Sequence, residues 1–347
     1  MTACAVEFVK FTWGMTDYRV SSDFFYSCLA PPREVEKISA KPRPQAQGTA
    51  AAMLCYPGMQ ALLFHNPSAG QGDHSLRDLT ATLEKAGLSL RVCPSKGEAV
   101  ASALDSAPEL VIVAGGDGTV GRIAARMPSR ARLAILPFGT ANNLARALGL
   151  WESHAAFAES WRQARHVRLD RAFIEGMGER RRFLEAVGFG ALARAVDHAD
   201  KSGAEGIAAG RAAFRTILSH AEPRRFRASL DGVPWEGESL FAEVMNIPLF
   251  GPNLAIAPQA SPGDGQLDLV TLPPDRREAM IAWLHAPEQG PPPTESRRAR
   301  EIVLSWPAGP VRQDDACCDE PLPEEIRLGL EEEALTVLVP AAAEGVA

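Results

Sequence analysis

Apolar residues in the first half of the chain alternate between short continuous runs and segments with the spacing of one helix face. Leu110-Val-Ile-Val-Ala114 is a continuous run, which is typical of a parallel strand buried on both faces. Leu76, Leu79, Leu83 and Ala86 recur at helical spacing between two such runs. The alternation predicts strands over 60–65, 88–93, 110–114 and 133–136, with helices over 76–86, 98–106, 120–126 and 141–148.

After about residue 165 the pattern changes to short strands separated by glycine and proline turns. The predicted strands are 167–174, 183–187, 226–230, 239–246, 267–272, 301–305, 325–330 and 335–339, and the predicted helices are 204–221 and 276–285. Strand–helix alternation predicts a doubly wound parallel sheet, and a series of short strands predicts a β-sandwich. The predicted fold class is therefore an α/β domain followed by a β-sandwich domain.

The beginning of the chain follows neither pattern. Its aromatic residues have no clear period, and Lys41-Pro-Arg-Pro-Gln-Ala-Gln-Gly48 has the composition of a linker. We predict a poorly ordered extension over 1–58, with a small N-terminal module as the alternative. The α/β domain then covers 59–160, the sandwich covers 161–340, and 341–347 form a tail.

Composition narrows the classes of function. The 347 residues include 43 acidic and 36 basic side chains, a net charge of −7, which argues against a protein that works mainly by binding nucleic acid. The six cysteines form no CxxC pair. No apolar run reaches the roughly 18–20 residues that cross a bilayer, and no signal peptide is evident. We therefore expect a reduced, cytoplasmic compartment, with any membrane contact made from that side.

Gly115-Gly-Asp-Gly-Thr119 follows a predicted strand and precedes a predicted helix. Backbone N–H groups and the helix dipole at such a position can hold a phosphate, and glycines let the backbone approach it closely. Asp117 would then meet Mg²⁺, because a carboxylate beside phosphate oxygens needs a cation between them. A tight strand–helix turn is the alternative, but such a turn rarely needs three glycines and a central carboxylate together.

Two further loops follow predicted strands of the same sheet. Asn66-Pro-Ser-Ala-Gly70 follows the first strand. Pro137-Phe-Gly-Thr-Ala-Asn-Asn143 follows the fourth, with Thr140 as the predicted N-cap of the next helix. Ligands of open parallel sheets bind beyond the carboxyl ends of the strands, so the three loops predict one nucleotide-sized cleft. Turn chemistry is the alternative for either loop alone, and no P-loop sequence occurs at these loops.

The three loops resemble the diacylglycerol kinase catalytic domain family, which includes soluble bacterial diacylglycerol kinases, related bacterial lipid kinases and sphingosine kinases. Asn246-Ile-Pro-Leu-Phe-Gly251 and Asp264-Gly-Gln-Leu-Asp268 are similar to the β-domain pattern of that family. The resemblance extends from residue 59 to about residue 340. It implies an α/β domain plus a β-sandwich, and a kinase that uses ATP and Mg²⁺ to phosphorylate a lipid hydroxyl.

The resemblance also implies which residues bind the nucleotide. Most of them belong to the three loops, and Ser95 adds a hydroxyl from outside them. The residues expected to line the ATP phosphates are Asn66, Pro67, Ser68, Ala69, Gly70, Ser95, Gly115, Gly116, Asp117, Gly118, Thr119, Val120, Gly121, Thr140, Asn142 and Asn143.

Two metal sites are implied in the same way. The Asp–water–Mg²⁺ network of the family would use Asp117, Asn143 and Asp170. Many members have aspartate where this chain has Asn143, so one charge is missing here. A surface carboxylate at a strand end is the alternative for Asp170, and a turn residue is the alternative for Asp264. A second, structural Mg²⁺ of some relatives would fall on Ser261, Asp264 and Gln266.

The family places the carboxylate that accepts the hydroxyl proton in a late Asp-Gly-Glu sequence. No such sequence is intact here, and Val311-Arg-Gln-Asp-Asp-Ala-Cys-Cys-Asp-Glu-Pro321 takes its place. The spacing from the preceding strand favours Asp314, whereas the Pro-Leu that follows favours Glu320. Asp117, Asp314 and Glu320 are therefore the catalytic candidates.

We expect a kinase that transfers the γ-phosphoryl group of ATP to a diacylglycerol- or sphingoid-like alcohol. One alternative is NAD kinase, which has a similar glycine loop. Another is a catalytically weakened nucleotide- or lipid-binding protein, favoured by Asn143 and the broken Asp-Gly-Glu. The expected partner is a lipid at a membrane surface, and the resemblance allows a homodimer. The basic clusters at 180–182, 224–227 and 297–300 would contact an anionic membrane transiently or lie at solvated strand ends.

Overall fold

The computed structural model describes residues 58–70, 75–202, 206–318 and 321–341. Except for Gly58, the predicted N-terminal extension over 1–58 lies outside these residues. Glu320 also lies outside them, as does the predicted tail over 341–347 apart from Ala341. No helix among the described residues is both long enough and apolar enough to cross a bilayer.

The first sheet forms from the continuous apolar runs near the start of the described chain. Four parallel strands adjoin in the order β2-β1-β3-β4, and their apolar side chains are buried on both faces. These strands are β1 (Met59–His65), β2 (Leu88–Pro94), β3 (Leu110–Gly115) and β4 (Arg132–Pro137). The helices of this region are α1 (Leu76–Lys85), α2 (Ala99–Leu104), α3 (Asp117–Ala124), α4 (Asn143–Leu148) and α5 (His154–Ser160).

Two six-stranded antiparallel sheets follow, in the orders β10-β9-β14-β17-β6-β7 and β13-β12-β11-β8-β15-β16. The strands of the first are β6 (Ala172–Glu175), β7 (Arg181–Phe183), β9 (Arg224–Leu230), β10 (Val233–Ser239), β14 (Glu301–Ser305) and β17 (Ile326–Leu330). Those of the second are β8 (Ala186–Gly190), β11 (Phe241–Met245), β12 (Leu267–Thr271), β13 (Glu295–Ala299), β15 (Val311–Gln313) and β16 (Ala316–Cys318). Apolar residues of both sheets share one core, as a β-sandwich requires.

Helices cover the outer face of the second of these sheets. Phe214 and Met280 pack there against Met245 and Val270, because alternate residues of β11 and β12 point away from the sandwich core. The helices are α6 (Ala191–Ser202), α7 (Ile207–His220) and α8 (Arg277–Trp283), and short 3₁₀ turns span 161–163, 274–276 and 287–289. The predicted fold class, an α/β domain followed by a β-sandwich, is confirmed.

Two strands that lie within the predicted second-domain range, 161–340, join the first sheet instead. Strand β18 (Leu335–Val339) pairs in parallel with β4, and β5 (Arg165–Leu169) pairs antiparallel with β18. The single strand predicted over 167–174 is in fact two strands, β5 and β6, in different sheets. The chain therefore crosses from one sheet to the other at Asp170 and Arg171, both of which are buried.

Candidate functional site

The glycine loop of residues 115–119 joins β3 to α3. Helix α3 begins at Asp117, three residues before the predicted start, so the loop ends in the first helical turn. A Cβ at Gly139 would lie 2.5 Å from the Gly116 Cα. The backbones of the glycine loop and the loop after β4 therefore touch, which only glycine at both positions allows.

The loop after β1 is tied to the same place. The Asn66 side-chain amide donates a hydrogen bond to the Thr119 hydroxyl at 3.0 Å, and the Ser68 hydroxyl donates to the Asn66 amide oxygen at 2.9 Å. Asn142 closes the third loop on itself, because its amide oxygen accepts from the Gly139 N–H at 2.9 Å. The structure thus brings the three predicted loops together at one end of the parallel strands.

Asp117 links the glycine loop to helix α4. Its carboxylate accepts the backbone N–H of Asn143 at 2.9 Å and that of Leu144 at 3.2 Å, so Asp117 caps α4 from another element. The prediction that Thr140 is the N-cap was therefore wrong. Asn142 holds the cap position in a left-handed conformation, with φ of 50°, and its own side chain makes no cap hydrogen bond.

The hairpin of β15 and β16 brings two further aspartates to the glycine loop. Gln313 pairs with Ala316, so Asp314 and Asp315 form the two-residue turn, and Asp314 has a φ of 48°, which aspartate tolerates. The Gly118 N–H donates to the Asp315 carboxylate. Asp314 Oδ2 lies 3.3 Å from where a Cβ of Gly121 would stand, so the turn packs against the start of α3.

Three backbone N–H groups hold the Asp314 carboxylate. They belong to Leu184, Glu185 and Ala186, and the Glu185 N–H is the closest donor, at 2.8 Å from Oδ1. These residues lead into β8, the neighbour of β15 in the sheet. The sheet pairing therefore fixes the direction of a side chain that is 130 residues away from Leu184 in the sequence.

Four carboxyl groups gather at this point: Asp117, Glu185, Asp314 and Asp315, which we call the acid cluster. Burial, together with the charges of Asp315 and Asp314, raises the pKa of Asp117 to about 6, although its two backbone donors act in the opposite direction. Burial likewise raises the pKa of Asp314 to about 6, although its backbone donors act in the opposite direction. The pKa of Glu185 lies well above its ordinary value, because the side chain is buried and faces the other three acids.

The oxygen atoms of this region suit a hard cation. Glu185 Oε1 and Asn143 Oδ1 are buried, and neither accepts a hydrogen bond from any residue that the structure describes. Carboxylate and amide oxygens are the donors that Mg²⁺ prefers. No group of three or more acidic, histidine or cysteine side chains in the described ranges could hold a metal ion by itself.

Asp170 lies in a different setting, which we call the Asp170 turn: Asp170 with the segment 262–265. Its carboxylate accepts the Gly265 N–H at 2.7 Å and the Arg168 Nε–H at 2.6 Å. Its backbone N–H donates to the Pro262 carbonyl. Asp170 shares no hydrogen-bond partner with Asp117 among the described residues, so a role in the same magnesium site stays a prediction.

The predicted second metal set also lies beside this turn. Asp264 accepts the Gln266 N–H at 3.0 Å and forms a salt bridge with Arg298. This is the geometry of a turn residue whose charge is already paired. A metal role for Ser261, Asp264 and Gln266 also stays a prediction.

Ser95 lies at the edge of the glycine loop rather than within it. Its carbonyl accepts from the Arg122 side chain at 3.3 Å, and Arg122 is part of α3. The Ser95 side chain is buried. A hydroxyl contact from Ser95 to a phosphate therefore remains a prediction.

Sequence reasoning missed three residues of this region: Glu185, Asp315 and Arg312. Glu185 could have been noticed, because a lone acid inside Phe183-Leu-Glu-Ala-Val-Gly-Phe189 is unusual in so apolar a segment. Arg312 forms a buried ion pair with Glu243 at 2.9 Å. Its partner lies 69 residues away, so no local pattern indicates the pair.

Two family models match the chain. The diacylglycerol kinase catalytic domain matches residues 60–174, and the YegS C-terminal NAD kinase beta sandwich-like domain matches residues 185–338. The first match contains the three loops, and the second contains Glu185 and the Asp314 hairpin. Residues from both matched segments therefore contribute to the acid cluster.

Similar proteins and structures agree with these matches. The chain is 34% identical over 221 residues to a Pseudomonas aeruginosa protein named "Probable lipid kinase YegS-like", covering 61% of this chain and 71% of that protein. A protein of the same name from Stenotrophomonas maltophilia is 31% identical over 262 residues, covering 71% and 83%. A diacylglycerol kinase structure from Bacillus anthracis superposes with a TM-score of 0.65 at 23% identity, over 82% of this chain and 98% of that chain, which shows a shared fold.

Proposed function

Because this chain belongs to the YegS-like lipid kinase family with a diacylglycerol kinase catalytic domain, we propose that it transfers the γ-phosphoryl group of ATP to a diacylglycerol- or sphingoid-like alcohol. The observation that carries the proposal is the meeting of the glycine loop and the Asp314 turn around the acid cluster. Phosphoryl transfer depends mainly on positioning and on stabilising charge, and both are available there.

The nucleotide phosphates would lie against the three loops. The start of α3 offers the positive end of a helix dipole, and the glycines of the two loops would let phosphate oxygens approach the backbone closely. Asn66 and Thr119 bind each other there, which fixes their polar atoms before ATP arrives. The contact of each loop residue with ATP is part of the proposal.

Asp117, Asn143 and Glu185 would hold the magnesium ion. When bound, Mg²⁺ neutralises the charge on the transferring phosphates. Asp117 also caps α4, so the same carboxylate ties the metal side of the site to the loop after β4. Glu185 Oε1 and Asn143 Oδ1 are both buried and accept no hydrogen bond from a described residue, so they are free to bind the ion.

Asp314 is the proposed acceptor of the hydroxyl proton. Its three backbone donors hold the carboxylate in one orientation, and a pKa of about 6 leaves it ionised for most of the time at neutral pH. Asp315 lies beside it but binds the Gly118 N–H instead. Glu320, the other candidate from the sequence, lies outside the described residues and is not assigned a role.

An apolar cleft supports a lipid acceptor. It has a volume of about 190 Å³, and Thr140 and Ala141, from the loop that would hold the nucleotide, are among its lining residues. Phe214, Phe250 and Pro252 also line it. Because a mainly apolar wall next to phosphate-binding loops suits a molecule with a polar head and a hydrocarbon tail, we favour a lipid over NAD as the acceptor.

Transfer of label from γ-³²P-ATP tests the proposal. The full chain is incubated with Mg²⁺ and, in separate reactions, with diacylglycerol, monoacylglycerol or sphingosine in mixed micelles, or with NAD. We expect label in a lipid product, and Asp105→Asn, an exposed aspartate away from the site, should behave as wild type. Labelling of NAD alone would contradict the proposal. ATP binding without transfer to any acceptor would favour a nucleotide-binding protein instead.

A further inference from the structure

We infer that Glu185 supplies the magnesium-side carboxylate that this chain lacks at Asn143, and this inference rests on the proposed function. The family resemblance leads us to expect an aspartate at position 143, where this chain has an uncharged amide. In the structure the Asn143 amide lies against a buried glutamate. The negative charge is therefore present, but on the neighbouring side chain.

The backbone of Glu185 fixes where its side chain points. Its N–H donates to Asp314 Oδ1 at 2.8 Å, and its carbonyl accepts the Asn246 N–H at 2.8 Å. Glu185 lies in the bend between β7 and β8, with only 3% of its surface exposed. Both hydrogen-bonding groups of its backbone are thus occupied, so the side chain has little freedom to turn towards solvent.

The side-chain contacts connect Glu185 with Asn143. The Asn143 Nδ2 lies 3.5 Å from Glu185 Oε2 and donates to the Gly251 carbonyl at 3.0 Å. Because these two acceptors lie beside the amide nitrogen, the amide oxygen points away from both of them. Glu185 Oε1 and Asn143 Oδ1 are left without a donor among the residues that the structure describes. Together they offer one charged and one neutral oxygen beside Asp117, whose carboxylate binds the Asn143 N–H.

A buried glutamate elsewhere in the molecule shows what a purely structural partner looks like. Glu243 is fully buried and pairs with Arg312 at 2.9 Å. The same Arg312 also donates to the Asp314 carbonyl, so its hydrogen bonds go to groups other than Glu185, and its charge offsets that of Glu185 only in part. Burying a carboxylate costs several kcal/mol unless an opposite charge compensates it. For Glu185 a divalent cation would provide that charge.

Manganese binding tests the inference without relying on catalysis. Electron paramagnetic resonance counts the Mn²⁺ bound by the full chain in the presence of a non-hydrolysable ATP analogue. Glu185→Gln should weaken Mn²⁺ binding by about tenfold or more. Adding Asn143→Asp to that variant moves the charge to the other side chain and should recover most of the loss. The control Glu236→Gln removes an exposed acid and should bind as wild type.

The melting temperature separates this role from a structural one. Without metal, Glu185→Gln should leave the melting temperature unchanged or raise it, because a buried charge among like charges is removed. Unchanged Mn²⁺ binding in Glu185→Gln would overturn the inference, and so would failure of that variant to fold or of the charge exchange to recover binding.

Wild-type transfer to a lipid tests the proposed function separately. If the wild type phosphorylates a lipid and Glu185→Gln binds Mn²⁺ normally, the inference fails and the function stands. If no lipid is phosphorylated but the charge exchange restores Mn²⁺ binding, the function fails and the pairing of Glu185 with Asn143 stands.

Discussion

The acid cluster and the Asp170 turn each contain a buried aspartate that the family resemblance assigns to magnesium, but their surroundings differ. Asp117 lies among Glu185, Asp314 and Asp315, and both its oxygens accept backbone N–H groups of α4. Asp170 has the guanidinium of Arg168 at 2.6 Å as well as a backbone donor. The first region concentrates negative charge, whereas the second neutralises it.

This difference separates two reasons for burying an acid. Where an arginine pairs with the carboxylate, as Arg168 does with Asp170, the fold itself explains why the acid is there. Beside the acid cluster, the guanidinium of Arg312 pairs with Glu243, while Glu185 Oε1 and Asn143 Oδ1 have no donors among the described residues. A surplus of buried negative charge calls for a cation from outside the chain. We therefore propose magnesium chemistry at the acid cluster and a structural role at the Asp170 turn.

The largest expected effect comes from Asp117→Ala. Loss of its carboxylate removes the proposed magnesium ligand and the cap of α4, so transfer should fall by at least about a thousandfold. The lost cap should lower the free energy of unfolding by only about 1 kcal/mol, which leaves the chain folded. Initial rates of lipid phosphorylation and circular dichroism measure the two effects, with Asp105→Ala as the exposed control. Activity near that of wild type would remove Asp117 from the site.

Asp314→Asn should have the next largest effect. Asparagine keeps the left-handed turn and one oxygen for the backbone donors, but it cannot accept the hydroxyl proton. We expect kcat to fall by about 100-fold to 10,000-fold with little change in KM for ATP. Asp315→Asn alters the other residue of the same turn and should reduce kcat much less. If Asp315→Asn lowered kcat more than Asp314→Asn does, Asp315 would be the base instead.

The local sequence was enough to predict the fold class and the three loops. Each loop directly follows a continuous apolar strand. Residues 110–119 contain both the apolar run of β3 and the glycine loop. Parallel strands bring their carboxyl ends to one edge, so Asn66, Thr119 and Gly139 could be expected near each other. In the structure the Asn66–Thr119 hydrogen bond and the backbone contact of Gly116 with Gly139 join the three loops.

The acid cluster could not be predicted in the same way. Asp314 reaches its donors only because β15 pairs with β8, and Glu185 meets Asn143 only because the bend before β8 lies against α4. These contacts depend on tertiary packing, which no spacing in the sequence records. The strand predicted over 167–174 failed for a related reason. Asp170 and Arg171 are buried by contacts from other segments, so the chain changes sheets within an otherwise regular pattern.

Asp170→Asn should affect stability more than activity. The amide cannot accept both the Arg168 Nε–H and the Gly265 N–H, so the free energy of unfolding should fall by about 1–3 kcal/mol. If the Asp170 turn is structural, kcat should stay within about threefold of wild type, a far smaller loss than general acid–base residues give. Urea unfolding and the lipid assay measure both quantities. A large loss of activity at unchanged stability would return Asp170 to the magnesium site.

The smallest effect is a change of stability with pH in the metal-free chain. The pKa values of Asp117 and Asp314 rise to about 6 in the folded state from ordinary values of 3.8. Between these values the folded chain binds more protons than the unfolded chain, so stability falls as pH rises through this range. Scanning calorimetry should show a melting temperature a few degrees lower at pH 7 than at pH 5.

Variants and metal show whether the acid cluster is the source of that slope. Asp314→Asn removes one of the groups with a raised pKa, so its melting temperature should depend less on pH than that of wild type. Mg²⁺ with an ATP analogue should reduce the slope further, because a bound cation favours the ionised carboxylates. Asp170→Asn should leave the slope as it is in wild type, since the charge of Asp170 is already paired with Arg168. If the pH dependence of the melting temperature persisted in Asp314→Asn and disappeared in Asp170→Asn, its source would be the Asp170 turn and not the acid cluster.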